Sequence, residues 1–496
     1  MNEIKHAFRQ LILRPGLSAT VIVMLALGIG ATTAIFSLFY QVLMQPLPVP
    51  EPSRLVKLTV PGEKPGGGRT GLAVADWQAA FSYPMFRDLE ARQEPFTGLA
   101  AHYDFLVNLG SGEQATFGRG ALVSGRYFET LGVRPKLGRL LGPQDEPAIG
   151  ESAVVVLSYD YWQQQFGGDP GIVNKTLAVN GHDLTVVGVA AEGFQGAMLG
   201  WNPKVFVPIT LRWLMQPEEQ RSDEDRFNYW VYVLARLKPG VSVQQASAAM
   251  NVLFAGITRE IEQPLLPNDL GAEQRARFLG RRMQLEPGAR GHSNLASQAT
   301  TPLTLLLGIT ALLLLIVCVN IANLLLARGS ARAGELAIRT SVGASRARLA
   351  AQLLVEAGLL ALLGALASAP VAAVTLRLVA STALTNSVPV SLSLPALAFA
   401  AAATLVTVML FGVAPAIQAS RTNLGSIMKG QAAQSRGGRG VARFNRALIT
   451  VQIAFATILL VLAGLFTRSL VNVARVDLGM KIETVASFNV SPLLAG

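Results

Sequence analysis

Cysteine is nearly absent from this 496-residue sequence, which has one, and histidine is rare, with four. A single cysteine excludes an internal disulfide, so any domain outside the cytoplasm must be stable through its own hydrophobic core. Cys318 lies in a long apolar segment, where a small buried apolar residue is a better interpretation than a reactive thiol. The histidines lack the spacing of metal ligands, and they are His6, His102, His182 and His292.

Motifs of catalysis are also missing. The segment from Gly120 to Arg126 resembles a phosphate-binding loop, but it lacks the lysine and the Ser/Thr that would hold phosphate and magnesium. No nucleophile is paired with a base in a recognisable pattern. The sequence therefore predicts no catalytic residue, no metal ligand and no cofactor-binding residue in this chain.

Long apolar segments are what the sequence has instead, and apolar residues make up 51% of it. A helix needs ~20 mostly apolar residues to cross a bilayer. Five segments qualify as spans, at 17–44, 302–327, 351–380, 394–419 and 447–466. The first is too long for a removable signal peptide and is not followed by a clear cleavage site, so it is predicted to remain in the membrane.

Basic residues are concentrated in three segments next to the spans, 1–16, 328–350 and 420–446. These hold 14 of the 42 basic residues and two of the 31 acidic ones, which leaves 28 basic against 29 acidic residues elsewhere. By the positive-inside rule these segments are cytoplasmic, the N-terminus included, whereas 45–301 and the loop 381–393 lie outside. The net charge of +11 is therefore a signal of topology and predicts no nucleic-acid partner.

The stretch 45–301 has the mixed composition of a folded domain outside the membrane. Short strand-like runs alternate with helical ones, as where Val154–Leu157 leads into the helical YDYWQQQF. Asn180-Gly181, between two strand-like runs, is typical of a tight β-hairpin. The predicted fold class is an α-helical membrane bundle of five spans with a large α+β extracytoplasmic domain.

The segment 328–350, between the second and third predicted spans, reads as a short amphipathic helix rich in arginine. Its apolar residues recur at near-helical spacing, and Gly343 would end the helix before the next span. Arginines that only anchored the spans would need no ordered apolar stripe beside them. We therefore predict a docking helix for an ATPase, with apolar residues in a groove of the partner. The predicted coupling residues are Arg332, Glu335, Leu336, Ile338, Arg339, Val342, Gly343 and Ala344.

Two sets of residues within the spans predict close contacts between helices. The first span has two small-xxx-small pairs, made by Gly28, Gly30, Thr32 and Ala34. These pairs favour packing within the bundle or an interface with a second permease module or another copy. Asn320 and Asn323 lie one turn apart in the second span, where buried amides need partners. Hydrogen bonds between helices are favoured there over a substrate contact.

A weak internal repeat relates the two ends of the chain. Phe8 and Gly28 have the same spacing as Phe444 and Gly464, and each phenylalanine opens a basic stretch before a span. The residues after the fifth span, 467–496, read as the start of a second extracytoplasmic domain. The sequence is thus predicted to hold one permease module and the truncated beginning of another.

The coupling segment and the span after it resemble those of MacB/FtsX-type ABC transporter permeases. The family pattern of Glu-apolar-x-Ile-Arg followed by Val/Leu-Gly-Ala is matched by Glu335, Ile338, Arg339, Val342, Gly343 and Ala344. The chain departs from it at Gly334, where the family often has a polar or basic residue. The stretch LALGIGATTAIFSLFYQVLMQPLPVPEPSRLVKL is similar to a duplicated subgroup first recognised in acidobacteria. SGRYFETLGVRPKLGRLLGPQDE resembles the MacB-type periplasmic core domain.

The resemblance implies a function and a set of partners. Members of the family are permease subunits of the bacterial plasma (inner) membrane, and a separate ATPase homodimer binds ATP and magnesium. They act by mechanotransmission on molecules outside the cytoplasm, so export or efflux is expected. The expected partners are the ATPase, the lipid bilayer, a second permease module or copy, and a periplasmic adaptor or cargo. The alternative is a regulatory or sensory membrane protein that controls an envelope enzyme or signalling partner without moving cargo.

Overall fold

The chain forms two compact units, one helical and one built around a β-sheet. The computed structural model describes residues 9, 12–13, 15–68, 70–74, 76–110, 116–146, 153–217, 223–331, 346–380, 392–420 and 437–474. The helical unit contains the chain up to Leu43 and resumes at Thr300. The second unit contains Met44–Ala299 and is called the sheet domain below.

The regular elements are numbered along the chain. The helices are α1 (Pro15–Leu43), α2 (Tyr83–Arg92), α3 (Tyr127–Leu131), α4 (Tyr159–Phe166), α5 (Arg212–Met215), α6 (Val243–Ile257), α7 (Ala272–Leu279), α8 (Asn294–Ala331), α9 (Arg346–Ala380), α10 (Leu394–Ser420) and α11 (Gly437–Ala474). The strands are β1 (Leu55–Thr59), β2 (Gly67–Gly68), β3 (Ala80–Ser82), β4 (Phe96–Leu109), β5 (Thr116–Val123), β6 (Pro135–Gly138), β7 (Val154–Leu157), β8 (Thr176–Val179), β9 (His182–Ala190), β10 (Val205–Pro208), β11 (Asn228–Leu237) and β12 (Gln284–Pro287).

Three helices of the described chain are long and apolar enough to cross a membrane. Their apolar stretches are Pro15–Leu43 in α1, Asn294–Leu325 in α8 and Leu354–Leu378 in α9. The apolar stretches in α10 and α11, Leu394–Met409 and Gln452–Leu465, are shorter within the described residues. The structure therefore supports three of the five predicted spans as candidates to cross a membrane.

Helix α1 is the most buried of the three long apolar helices, because its backbone lies close to that of α9. A Cβ atom added at Gly30 would lie 2.8 Å from Cβ of Val371, and one added at Gly364 would lie 2.5 Å from a side chain of α1. Small residues at such positions let two helix backbones approach each other. Phe36 of α1 also stacks on Phe399 of α10, with ring centroids 4.1 Å apart.

The sheet domain is organised by two long central strands, β4 and β11. Within the described residues, the sheet has the order β12-β1-β11-β4-β5-β10-β7-β9-β6, with β2 and β3 beside β11 and β8 beside β4 and β9. Strands β4 and β11 are antiparallel neighbours, and every residue of β11 is buried. A strand covered on both faces needs a nearly continuous apolar run, which YWVYVLARL supplies. The mixture of helices and strands confirms the predicted α+β class.

Local sequence signals explain several elements of the sheet domain. Strands β8 and β9 form an antiparallel hairpin whose turn has positive φ at Asn180 (49°) and Gly181 (78°). These two residues tolerate that conformation, so the hairpin predicted from Asn180-Gly181 is confirmed. Serine side chains accept hydrogen bonds from the first turns of α2, α4 and α6 and thereby fix where these helices begin.

Candidate functional site at the two joints of the sheet domain

The predicted coupling residues all lie outside the described part of the chain, which has a gap between α8 and α9. The described residues instead single out the two places where the chain enters and leaves the sheet domain. We call the connection after α1, residues 44–54, the N-terminal joint. The connection before and into α8, residues 288–294, is the C-terminal joint.

At the N-terminal joint, Arg236 of β11 binds two separate segments through their backbone. Its Nη1 donates to the carbonyl oxygens of Pro50, at 2.9 Å, and Glu51, at 3.2 Å. Its Nε donates to Thr130 O at 2.6 Å, and its Nη2 donates to Leu131 O at 3.0 Å. The guanidinium thus joins the chain that follows α1 to the last residues of α3.

Prolines and a glycine in the two segments that Arg236 contacts explain why their carbonyls point towards it. Pro50 and Pro52 restrict the chain on both sides of Glu51, which has a left-handed backbone with φ 46°. Helix α3 ends at Gly132, whose φ of 70° suits glycine at the end of a helix. The carbonyls at a helix C-terminus have partial negative charge, so a cation is favoured there. Burial lowers the pKa of the Arg236 guanidinium, but arginine stays protonated in proteins.

A second arginine fixes the same joint from its exposed side. Arg54 donates to Leu237 O at the end of β11, from Nε at 3.1 Å and from Nη2 at 2.6 Å. Its Nη1 also lies 2.7 Å from Glu51 Oε2, but the Glu51 side chain is 64% exposed. A pair so open to solvent adds little stability. The contribution of Arg54 therefore comes mainly from its hydrogen bonds to β11.

At the C-terminal joint, two buried histidines meet. Nε2 of His102 on β4 lies 3.0 Å from Nδ1 of His292, two residues before α8 begins. One ring donates and the other accepts, according to the tautomers. Burial lowers the pKa of His102 to about 3, and burial together with His102 lowers that of His292 well below its usual range. Both rings are therefore neutral at physiological pH, and each has one buried ring nitrogen without a hydrogen-bond partner among the residues that the structure describes.

The backbone of His292 is also hydrogen-bonded to neighbouring segments. The N–H of His292 donates to Ala197 O at 2.9 Å, and Leu199 N–H donates to His292 O at 3.1 Å. Ala197 N–H in turn donates to the Tyr127 hydroxyl of α3 at 2.9 Å. Burial raises the pKa of Tyr127, so this hydroxyl keeps its proton. Helix α3, already bound by Arg236, therefore contacts both joints.

A short loop, residues 71–74, ties the first residue of α8 to the central strands. Asp104 Oδ2 of β4 accepts from Leu72 N–H at 2.7 Å and from Ala73 N–H at 3.2 Å. Ala73 O accepts from Asn294 N–H at 2.9 Å. The Tyr232 hydroxyl of β11 donates to a carbonyl of the loop and accepts from one of its N–H groups. The start of α8 is therefore anchored through the loop as well as through His292.

Burial of Asp104 raises the pKa of its carboxyl group to about 6, and the two backbone hydrogen bonds oppose that rise. In the described part of the chain its Oδ1 has no hydrogen-bond partner. A Cβ atom at Gly71 would lie 1.8 Å from this oxygen, so the loop needs glycine there. The close approach of the loop to β4 thus depends on one residue that has no side chain.

The two joints are also bonded to each other. Leu47 N–H donates to Ala289 O at 2.8 Å, which places the two connections side by side. The N-terminal joint is hydrogen-bonded to β11 and the C-terminal joint to β4, and these two strands are hydrogen-bonded neighbours at the centre of the sheet.

Backbone N–H groups of the segment that resembles a phosphate loop are used within the sheet domain. Most of it belongs to strand β5, and Gly125 N–H donates to Glu146 Oε2 at 2.6 Å. Glu146 Oε1 accepts from the Tyr83 hydroxyl at 2.7 Å. In the part of the chain that the structure describes, no group of three or more His, Cys, Asp or Glu side chains could hold a metal ion.

The structure places the four small residues of α1 against other helices of this chain. Gly28 faces α8, and Gly30 faces α9. Thr32 Oγ1 lies 3.1 Å from Thr310 O of α8, to which it donates. Ala34 is fully buried beside α9. All four contacts lie within the bundle, which is one of the two alternatives that the spacing leaves open.

Three polar residues in the second half of α8 are buried or partly buried. Cys318 is 3% exposed, and its Sγ lies 3.6 Å from Thr407 Oγ1 of α10. Asn320 and Asn323 are partly buried, and within the described residues the Oδ1 atom of Asn323 has no hydrogen-bond partner. On α9, Glu356 accepts a hydrogen bond from the preceding turn. Cys318 therefore makes a polar contact between α8 and α10.

Sequence reasoning did not find the two joints. Their residues are 186 positions apart for Pro50 and Arg236 and 190 positions apart for His102 and His292. The available signal was chemical: His102 and Asp104 interrupt an otherwise apolar run in β4, and Arg236 interrupts β11. Polar groups inside a buried strand need partners, although the sequence does not say which.

Two family models match the chain. Residues 18–253 match the MacB-like periplasmic core domain, and residues 307–424 match the FtsX-like permease C-terminal. Curated relatives include the pyoverdine export ATP-binding/permease protein PvdT of Pseudomonas syringae pv. tomato, 26% identical over 275 residues. The macrolide export ATP-binding/permease protein MacB of Salmonella paratyphi A is 25% identical over 304 residues.

These relatives are longer than this chain. The PvdT match covers 55% of this chain and 37% of PvdT, and the MacB match covers 60% of this chain and 41% of MacB. The crystal structure of the periplasmic region of MacB from Actinobacillus actinomycetemcomitans matches 44% of this chain and 95% of that chain, with 15% identity and a TM-score of 0.30. On the two family models and the MacB relatives, this chain belongs to the MacB/FtsX family of permeases.

Proposed function

We propose that this chain is the permease subunit of an ABC transporter and couples ATP hydrolysis by a separate ATPase to movement of the sheet domain. The observation that carries the proposal is the pair of joints. The N-terminal connection is hydrogen-bonded to β11 and the C-terminal connection to β4, the two central strands of the sheet domain. A domain held in this way follows its connections as one body when they move.

ATP binding is proposed to belong to a partner ATPase and not to this chain. The curated relatives are named ATP-binding/permease proteins, and this chain matches about two fifths of their length. It has no motif with the glycines, lysine and Ser/Thr of a phosphate-binding loop. We infer from the resemblance to MacB/FtsX-type permeases that ATP and magnesium are bound by a partner ATPase homodimer, and that this chain is the permease subunit and not the enzyme.

The proposed topology has five spans in the bacterial plasma (inner) membrane, with the N-terminus in the cytoplasm and the sheet domain outside. Helix α10 has 27 residues and α11 has 38. At ~1.5 Å per residue both exceed the ~30 Å hydrocarbon core of a bilayer. The basic segments 1–16, 328–350 and 420–446 support this orientation through the positive-inside rule. The residues from 467 onward would then begin a second extracytoplasmic domain.

The ATPase is proposed to dock on residues 328–350. This segment runs from the last residues of α8, which ends at Ala331, to the first residues of α9, which begins at Arg346. Closure of the ATPase dimer on ATP would displace the segment and with it these two helices. Helix α8 is continuous from Asn294, so its other end lies at the C-terminal joint. One helix therefore links the proposed docking segment to the sheet domain.

A docking experiment tests this proposal with a matched pair of variants. Ile338→Asp places a charge in the predicted apolar stripe, and Ile427→Asp makes the same change in the basic linker 420–446. Both variants and the unaltered chain are placed in lipid nanodiscs with the partner ATPase, and ATPase binding and ATP hydrolysis are measured. Burying an unpaired charge at an interface is expected to weaken binding by about tenfold or more.

The proposal requires that Ile338→Asp lose the ATPase while Ile427→Asp retains it. Equal binding by both variants would contradict a docking role for the segment.

Export is the proposed direction, because the relatives are named for export of a macrolide and of pyoverdine. A regulatory protein would bind its ATPase without substrate-stimulated hydrolysis or transport, so hydrolysis measured with and without an exported substrate separates it from a transporter.

A further inference from the structure

Arg236 is a buried cation whose hydrogen bonds all go to neutral backbone carbonyls. The residue is 8% exposed, and its four hydrogen bonds reach two segments that are far apart in sequence. A buried charge without a carboxylate partner is costly, so such a residue needs another reason to be there. The partial charges at the end of α3 offset part of the cost.

The segment that Arg236 holds is stiff. Pro50 and Pro52 flank Glu51, whose positive φ is uncommon for a residue with a side chain. A Cβ atom at Gly132, directly after α3, would lie 3.4 Å from Pro50. The bend therefore packs against the end of α3 and is bonded to it through Arg236. A displacement of this bend moves α3 instead of being absorbed by the connection.

Helix α3 reaches the other joint from its opposite end. The Tyr127 hydroxyl accepts from Ala197 N–H, and Ala197 O accepts from His292 N–H. The ring centroids of Tyr127 and His102 are 6.0 Å apart. The contacts thus form a continuous path from Pro50 through Arg236, α3 and Ala197 to His292.

We propose that Arg236 is a positioning residue. Through α3 it fixes the position of the two joints relative to each other, so that α1 and α8 displace the sheet domain together. This inference rests on the proposed function. It assigns to Arg236 the transfer of movement from the N-terminal joint, a role that its charge alone would not require. Lysine keeps the charge but has a single nitrogen, which cannot reproduce the fork of four bonds to carbonyls in two segments.

The test is amide hydrogen exchange of the full chain in complex with the ATPase that co-purifies with it, with and without ATP. Two regions are followed, 127–132 in and after α3 and 292–299 at the C-terminal joint. In the unaltered chain, ATP is expected to change exchange in both regions. In Arg236→Lys the change at 127–132 should fall by about threefold or more, while that at 292–299 and ATP hydrolysis persist.

Two further variants make the result specific. Arg139→Lys alters another arginine of the same domain, which is paired with Asp145, and should behave like the unaltered chain. Insertion of two glycines after Gln45, in the exposed part of the N-terminal joint, leaves Arg236 intact but lengthens the connection. That insertion should also reduce the response at 127–132, and it covers the case in which Arg236→Lys fails to fold.

The outcomes separate this inference from the proposed function. A full response at 127–132 in Arg236→Lys or in the glycine insertion would overturn the role of Arg236 and leave the permease function intact. A chain that shows no ATP-dependent change in either region without any substitution would overturn both. Loss of the response in Arg139→Lys as well would assign the effect to general destabilisation and also overturn the inference.

Discussion

The two joints of the sheet domain hold equivalent positions with different chemistry. The N-terminal joint is held by Arg236, a permanent cation whose bonds go to four carbonyl oxygens. The C-terminal joint is held by two neutral histidines and by a loop bound to Asp104. Arginine does not titrate in the physiological range in either the folded or the unfolded chain. The histidines bind protons near pH ~6.5 only when the chain is unfolded, and Asp104 has a folded pKa of about 6. Only the C-terminal joint should therefore respond to pH.

The joints also differ in how fully their polar groups are satisfied. Every heavy atom of the Arg236 guanidinium that can donate has a carbonyl partner. Within the described residues, the C-terminal joint leaves three buried atoms without hydrogen-bond partners, which are His102 Nδ1, His292 Nε2 and Asp104 Oδ1. Unsatisfied buried groups cost ~1–3 kcal/mol each. We infer that the C-terminal joint is the easier of the two to open.

The largest expected effect comes from removing the charge at the N-terminal joint. Arg236→Met should lower the free energy of unfolding of the sheet domain by about 3–5 kcal/mol, because four buried carbonyls lose their donor. All five tryptophans lie in the sheet domain, so intrinsic fluorescence of the full chain in detergent reports its unfolding. Arg277→Met, at an ion pair exposed on both sides, is the control and should cost about 1 kcal/mol or less. Equal losses in the two variants would contradict the comparison.

The next effect is the response of the C-terminal joint to acid. The pKa of His102 is about 3 in the folded protein and ~6.5 when unfolded, so the unfolded chain binds more protons between these values. Stability is therefore present above pH ~6.5 and is lost as the pH falls, by ~1.4 kcal/mol per pH unit for each histidine. Asp104 acts in the opposite sense, because its folded pKa, about 6, lies above the unfolded value.

Between pH 6 and pH 4 the two histidines destabilise the sheet domain as the pH falls, whereas Asp104 and Glu262, whose pKa burial raises to about 7, act in the opposite sense. Asp104→Asn removes one of these opposing titrations, so the stability of this variant should fall with acidification more steeply than that of the unaltered chain, by ~1.4 kcal/mol per pH unit. Denaturant unfolding at several pH values, followed by tryptophan fluorescence, measures both slopes. An unchanged slope in Asp104→Asn would show that this carboxyl group does not titrate in the folded domain as described.

The histidine pair offers a smaller and more local test. His292→Leu leaves His102 with two unpartnered nitrogens and should lower the free energy of unfolding by about 1–3 kcal/mol. The double variant with His102→Phe removes every polar atom of the pair and should recover much of that loss. The coupling energy from the four unfolding free energies is the measurement. Additive losses would indicate that the two rings do not interact.

The smallest effect concerns the helix that leads to the N-terminal joint. A methyl group at Gly30 would lie 2.8 Å from Val371 Cβ and 2.9 Å from Ser368 O, whereas one at Gly28 meets the end of a leucine side chain at 3.2 Å. Gly30→Ala should therefore lower the free energy of unfolding of the helical unit by about 1 kcal/mol or more, and Gly28→Ala by less. The thermal midpoint should fall accordingly. Thermal unfolding of the two variants in the same detergent compares them. A larger loss in Gly28→Ala would contradict the close packing of α1 on α9.

The sequence was a better guide to elements than to the joints that connect them. Hydropathy predicted the helices α1, α8 and α9, and Asn180-Gly181 predicted a hairpin, because each signal lies within one segment. The spacing of the histidines in the sequence predicts no contact between them, yet the fold brings His102 and His292 together across 190 positions. Periodicity encodes burial, but a contact between distant segments depends on the register of the whole sheet.

The candidate site was predictable only in part for the same reason. The coupling residues around Ile338 follow a local pattern, but they lie outside the described residues and remain a prediction. Arg236 offered a weaker signal, a charge within the buried run YWVYVLARL. That charge indicates a buried partner without identifying it. The carbonyls of Pro50 and Leu131 carry no sequence signature, because every residue has such a group.

The most direct test of the central claim is recovery of a partner ATPase. The chain would be purified from native membranes under mild detergent, side by side with Arg339→Glu in the predicted docking segment and Arg421→Glu in the basic linker as the control. The account predicts an ABC-type ATPase with the unaltered chain and with Arg421→Glu, and its loss with Arg339→Glu. Recovery of no ATPase with the unaltered chain, or equal recovery with all three, would contradict the claim that this permease is driven through residues 328–350.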